Sequence, residues 1–291
     1  MRNLHKYYYK DYFSRQIPDI DGNLCLSFEY MLWEEEKKKE TDKAEQKQLL
    51  KKIDNYKKKN ALCVEKRNDV LTGSKFWELQ NDISPSGNRF SLQIIYPGLV
   101  TGVGINHETK IEGEFKLGVH FDWTHGMPVV YGSSVKGVLR SAFIAEQKYG
   151  RITRYEDYYL NSVTEQRWEQ NNIKLLFESI FEGKENGKPK SIYDRDIFFD
   201  AVIVKADPEE RILAPDSITP HGDNPLKNPS PLTFLKIASG CTMEFRFKLV
   251  DSVIDGETFT KEQKKTLFEE ILKTVGVGAK TNVGYGQMKD A

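Results

Sequence analysis

Near its C-terminus the chain reads GVGAKTNVGYGQM from Gly276 to Met288, with Lys280, Thr281 and Asn282 bracketed by Gly276, Gly278, Gly284 and Gly286. Glycines in this density allow positive φ and expose backbone amides, which suits contact with an anion. A Walker loop needs G-x-x-x-x-G-K-S/T ahead of a helix. Here Ala279 precedes Lys280 and only five residues follow Gly286. A dinucleotide fingerprint would need glycine where Thr281 stands. Both familiar nucleotide loops are excluded, and the remaining chemistry is that of a surface on which a polynucleotide backbone can lie.

A second stretch, Gly132-Ser133-Ser134-Val135-Lys136-Gly137-Val138-Leu139-Arg140, offers the same chemistry. A helix N-terminus presents free amides and about half a positive charge. Ser133 or Ser134 is expected to be the N-cap, with hydroxyls to donate, and Lys136 and Arg140 are four apart on one helix face. Two phosphate-friendly segments suit an extended RNA strand better than a single phosphate, provided the fold brings them into one groove. The alternative is two ordinary tight turns. His107, His120, His125 and His221 are spaced by thirteen, five and ninety-six residues, which makes no zinc pattern. They stand either as loop residues or as a source of a general base.

These residues need elements to hold them. Ser91 to Thr101, broken at Pro97-Gly98, is expected to be a kinked strand, and Glu114 to Trp123 and Met127 to Tyr131 two more. Val135, Val138, Leu139, Ala142 and Ala145 follow the helical period. A second helix fits Thr164 to Phe181, and strands fit Asp196 to Val204, Thr233 to Ile237 and Thr242 to Val250. Ala214 to Pro231 is expected to be a Pro-rich loop. Thr260 and Gln263 form a capping box for a last helix that buries Leu267, Phe268, Ile271, Leu272 and Val275 and ends at Gly276. Tyr285 to Lys289 returns as a short strand.

Residues 1–90 are expected to be an N-terminal extension, partly helical, ahead of a domain over 91–291. Between Glu34 and Lys59, ten bases against seven acids leave a surplus of three without helix breakers, the pattern of a solvated helix or of an RNA arm. His5 to Phe13 interleaves aromatics and bases, which suits stacking on bases or a docked strand.

The 291 residues carry 43 Lys+Arg against 43 Asp+Glu, so any RNA surface has to be a local stripe rather than the whole molecule. Cys25, Cys63 and Cys241 are odd in number and without a C-x-x-C partner, and are expected to be reduced structural thiols. No metal and no cofactor is expected. Neither a membrane span nor a signal peptide is visible, which points to the cytoplasm.

Pro128 to Arg140 resembles the P-x-I-P-G-S-S-(I/L)-K-G-x-(I/L)-R motif of the CRISPR RAMP superfamily, and Gly276 to Gly286 resembles its C-terminal glycine-rich loop. Tyr96 to Gly104, Lys116 to Asp122, Asp216 to His221 and Pro231 to Leu235 extend the resemblance, which is finest to the sixth RAMP subunit of the type III-B (Cmr) effector complex. Tyr131 departs from the motif's proline, which leaves the turn before Gly132 less rigid. The resemblance implies an α+β, ferredoxin-like and RRM-related fold with insertions. It also implies a non-catalytic subunit that caps the backbone filament near the 3′ end of the guide RNA, beside target RNA and other RAMP subunits. Gly132, Ser133, Ser134, Lys136, Arg140, Gly278, Lys280, Thr281 and Asn282 would then contact the guide backbone. The alternatives are an endoribonuclease of the same superfamily, using Asp122 or His120 on guide precursor or target, and an unrelated RRM-like protein.

Overall fold

In β1, Asn88–Ile94, buried Phe90, Leu92 and Ile94 alternate with Arg89, Ser91 and Gln93, so the strand has one apolar face. It belongs to a computed structural model that describes residues 87–101, 118–122, 126–143, 170–185, 187–219 and 232–291, with positions 51, 54, 55, 58, 61, 62, 64–66 and 68–73. The chain continues through β2, His120–Phe121, and β3, Pro128–Val130, into α1, Gly132–Ser141. Helix α2, Gln170–Phe177, runs on as a π-helical turn, Glu178–Glu182. A small hairpin follows, β4, Lys184–Glu185, with β5, Lys188–Pro189, and then β6, Ile197–Phe198, and β7, Ala201–Lys205. The rest is β8, Leu213–Ile218; β9, Leu232–Ile237; β10, Thr242–Lys248; β11, Ser252–Ile254; β12, Glu257–Phe259; α3, Lys261–Val275; and β13, Met288–Asp290.

Among the described residues the main sheet has seven strands, in the order β13-β1-β10-β7-β3-β2 with β6 also on β10, and every pairing is antiparallel. Taking β1, α1, β7, β10, α3 and β13 in turn gives a β-α-β-β-α-β path, which is compatible with the ferredoxin-like expectation. Leu92, Ile94, Ile203, Met243, Phe245 and Phe247 form a buried cluster with Val135 and Leu139 of α1 and with Leu267, Phe268, Ile271 and Leu272 of α3. Phenylalanine rings link the layers: Phe247 lies 5.4 Å from Phe268, Phe198 5.7 Å from Phe268, and Phe181 6.0 Å from Phe198. Each buried ring stabilises the fold by roughly 1.5–3 kcal/mol.

The capping box forms: Thr260 Oγ1 accepts the Gln263 amide at 3.2 Å, and Gln263 Oε1 accepts the Thr260 amide at 2.8 Å. Helix α3 stops at Gly276, at a φ of 75°. Its Lys264 is wholly buried and donates to Asp196 Oδ2 and to the Val250 carbonyl, both at 2.6 Å.

The fold departs from expectation in the segment after Leu213 and in the one before α3. Ala214 to Pro231 is not all loop, because Leu213–Ile218 is a strand paired with β9, with Pro215 opposite Leu235. A two-stranded ladder needs amides along one edge only, so a proline is tolerated in it. The β11–β12 hairpin, with Ser252 opposite Phe259, was not expected. Residues 220–231, 164–169 and 1–50, including His5 to Phe13, lie outside the described residues. In the charge run, Lys51, Asp54, Asn55 and Lys58 are helical and exposed. Further along, Val64 and Leu71 are buried, and Asn68 Oδ1 accepts the Ile212 and Leu213 amides at 3.1 and 2.8 Å while its Nδ2 donates to the Leu213 carbonyl at 2.8 Å. That side chain satisfies the start of β8 from within the stretch assigned to the extension. No helix among the described residues is long and apolar enough to cross a membrane.

Candidate nucleic-acid interface

The start of α1 differs from its expected form. The helix begins at Gly132 after Tyr131 without a side-chain cap, and Ser133 and Ser134 lie exposed in its first turn. The Gly132 amide donates to Asp200 Oδ1 at 2.7 Å, while the Ser134 and Val135 amides turn back onto the Tyr131 carbonyl at 2.8 and 3.0 Å. A carboxylate therefore stands where a helix N-terminus would otherwise hold an anion. Glycine is required at 132 because a Cβ there would collide with the Phe198 carbonyl. The two cations lie over aromatic rings: Lys136 Nζ is 5.7 Å from the Phe198 centroid, and Arg140 Cζ is 5.3 Å from that of Phe177.

The C-terminal glycine segment is laced to neighbouring backbone. The Val277 amide donates to the Gly286 carbonyl at 2.9 Å, Gly286 to Gly98 at 2.8 Å, and Ala279 to Val100 at 2.6 Å. A Cβ on Gly278, at a φ of 94°, would strike the Val100 carbonyl, and one on Gly286 would strike that of Val277. The bare backbone at these two positions thus serves packing within the chain. Between them Lys280 adopts the left-handed region at a φ of 61°, ahead of a 3-10 turn, Thr281–Val283. Lys280 and Thr281 are half-buried, and Gly278 and Asn282 exposed.

Tyr285 anchors this turn. Its ring packs on Phe234 at 5.9 Å and its hydroxyl donates to Asp216 Oδ2 at 2.7 Å. Asp216 also takes Lys236 Nζ and the Ser217 amide, each at 2.7 Å. Burial alone would raise the Asp216 carboxyl, but the bonds from Lys236, Tyr285 and Ser217 hold it below the usual carboxylate range. Burial, then the bond to Asp216, pushes the Tyr285 phenol up. In the sequence Asp216 stands out only as part of the Asp216 to His221 stretch that resembles the family. The strand that holds it, Leu213–Ile218, shows no clear alternation in sequence and is disguised further by Pro215.

The two segments do not converge into one groove. Val129 pairs with Val202, Val202 with Glu244, and Glu244 with Ser91, so β3 runs toward the Asn88 end of β1 and α1 starts beyond that end. At the opposite end, Ile94 pairs with Met288, and the glycine segment bonds to Gly98 and Val100 past it. Helix α3 spans the gap: its Glu262 accepts from Asn88 Nδ2 at 2.9 Å, and it ends at Gly276. Its 15 residues are about 22 Å long.

His120 sits in β2 with its ring 4.6 Å from Tyr131 and its amide donating to Thr101 Oγ1 at 2.7 Å. Burial lowers its pKa, so the imidazole is neutral near pH 7. The Asp122 amide donates to the Met127 carbonyl at 2.8 Å and helps close the β2–β3 hairpin. His107, His125 and His221 lie outside the described residues, as do Cys25 and Cys63. The Cys241 thiol is buried, and burial pushes it up to about 12. Among the described residues no group of three or more His, Cys, Asp or Glu could hold a metal ion.

Comparison with known proteins adds lineage to this geometry. The family model of the RAMP superfamily matches residues 68–289. No curated protein matches the chain. Among solved structures, a type III-B Cmr-beta complex bound to cognate target RNA contains a chain of similar fold, with a TM-score of 0.50 and 19% identity over 99% of this chain and 88% of that one. Cmr6 from Pyrococcus furiosus scores 0.40 at 20% identity over 70% of this chain and 97% of its own. A type IV-B CRISPR complex scores 0.38 at 15% identity over 69% and 89%.

Proposed function

Because this chain belongs to the RAMP superfamily, we propose that it is a non-catalytic RNA-binding subunit of a type III-B (Cmr) RNA-guided effector complex in antiviral defence. In this reading it works in the cytoplasm beside other RAMP subunits and caps the backbone filament near the 3′ end of the guide RNA, holding guide and target strands. The solved assembly of similar fold carries cognate target RNA.

The observation that carries the reading is the match of the RAMP family model to residues 68–289, which takes in both α1 and the C-terminal glycine segment. Lys136, Arg140 and Lys280 form no ion pair with any described carboxylate, a state they share with Lys205, Lys261, Lys265 and Lys289, and the Glu182 carboxyl, lowered chiefly by its bond to Lys184, is lowered by Arg140 as well. On a chain of zero net charge, local groups of cations set the attraction to phosphate within about 8 Å. Ser133, Ser134, Lys136 and Arg140 would meet the strand at one end of the sheet, and Gly278, Lys280, Thr281 and Asn282 at the other, while buried Gly132, its amide already taken by Asp200, would only shape the turn. On this reading the two segments would meet RNA at separate points about the length of α3 apart, and the single shared groove expected from the sequence is not formed. Base pairing would supply the sequence specificity and the protein would read phosphate and shape.

Tagged protein recovered from its native host should bring down guide RNA together with partner subunits and should leave repeat and target RNA intact. Recovery of the complex without guide RNA would overturn the reading. A second reading, an endoribonuclease, draws on the neutral His120 imidazole, which could accept a proton. Cleavage lost in His120→Ala or Asp122→Ala would establish it instead.

A further inference from the structure

Tyr96 is 83% exposed, and Val283, also a large apolar side chain, is 66% exposed. They lie on adjacent turns, since a Cβ on Gly284 would sit 3.4 Å from Pro97 Cδ. Exposed apolar residues scattered singly need no explanation, but two on touching turns form a patch. The turn that carries Tyr96 is held on every side. The Ile95 amide donates to the Gln287 carbonyl at 3.0 Å, Gly98 to Ile95 at 2.9 Å, Leu99 to Ile237 at 3.0 Å, and Gly286 to Gly98 at 2.8 Å. Folding therefore presents an aromatic face to solvent on a rigid mount, so that little ordering remains for binding to supply.

The surrounding charge selects the occupant. Lys280, on the neighbouring turn, has no described carboxylate partner, and the Asp216 carboxylate is already met by Lys236 and the Tyr285 hydroxyl. An exposed ring on a turn that adjoins the one carrying Lys280 and exposed Asn282 matches an unpaired nucleotide, with base on ring and phosphate on ammonium.

We propose that Tyr96 is a base-stacking residue, and that an unpaired nucleotide of the bound RNA lies across Tyr96 and Val283 with its phosphate at Lys280. The inference rests on the RNA-binding reading above.

The test uses the full chain in its co-purified complex, with RNA carrying single 5-iodouridines. Tyr96→Ala should weaken binding about tenfold without changing the salt dependence, Tyr96→Phe should restore it, and irradiation should crosslink one iodouridine to Tyr96. Lys280→Ala should instead flatten the salt dependence. If Lys280→Ala weakens binding while Tyr96→Ala binds as wild type and no crosslink forms, stacking is overturned and RNA binding stands. If the wild-type complex holds no RNA, the underlying reading fails. If Tyr96→Ala sheds a partner subunit while binding RNA unchanged, the patch is a protein interface and the proposal is wrong.

Discussion

The Asp200 carboxylate accepts the Gly132 amide at 2.7 Å and so occupies the first anion position at the start of α1. Asp200→Asn keeps an acceptor there but removes the charge. Stability should fall by about 0.3–1 kcal/mol through the lost charge–dipole interaction. RNA affinity at low salt should rise a few-fold, because a phosphate no longer faces a carboxylate. Filter binding alongside thermal unfolding reads both, and unchanged affinity would remove the helix start from the RNA contact.

Replacing Lys136, Arg140 and Lys280 by alanine should lower RNA retention most at low salt. Each lost contact should reduce the slope of log affinity against log salt by about 0.7 for a single strand. Titrations over a salt series check this, and an unaltered slope excludes the three contacts.

Two glycines should respond in opposite ways. Gly278→Ala places a Cβ against the Val100 carbonyl at a φ of 94°, so its melting temperature should drop before any effect on RNA is read. Gly137 is exposed within α1, and a Cβ there meets nothing within 4 Å. Gly137→Ala should therefore stabilise the protein by about 0.5–1 kcal/mol. Any accompanying loss of RNA binding would mark that helix face as a point of close approach.

The Asp216–Tyr285 bond predicts a pH window. Asp216 is held below its ordinary 3.8, so its contribution is present above 3.8 and lost as pH falls through the folded value. Tyr285 is raised above its ordinary 10.0, so its share is present below 10.0 and lost as pH rises through the folded value. Amide-exchange protection of Gly286 should be level between these limits. Tyr285→Phe should abolish the alkaline loss and shift the acid loss upward; protection that ignores the substitution would show that this bond does not hold the turn.

The buried Lys264–Asp196 pair predicts an asymmetry. Lys264→Met strands a carboxylate in the core and should cost about 3–5 kcal/mol in chemical denaturation. Adding Asp196→Leu should recover part of that loss only, since Asp196 Oδ1 also accepts the Val250 amide at 2.8 Å. Equal stability of the single and double variants would contradict a charge-based origin.

Local patterns in the chain were enough to determine the start and stop of α3 and the return of the chain after Gly284 as β13, whereas the kinked strand expected over Ser91 to Thr101 is Asn88–Ile94 and ends before the Pro97-Gly98 turn. Each depends on residues within a turn or two of one another. Strand β8 was less legible, because Pro215 disguises a ladder whose partner lies about twenty positions along. The packing role of the glycines is hidden for a related reason: the carbonyls that exclude side chains at Gly132 and Gly278 come from Phe198 and Val100, remote in sequence. Asp200 at the helix start and Asp216 under Tyr285 came only from the folded chain, as did the placement of the two phosphate-friendly segments at opposite ends of the sheet. Side-chain period and capping act through neighbouring bonds, so sequence alone determines them; which remote groups share an end of the sheet follows from strand order and register, which tertiary packing decides.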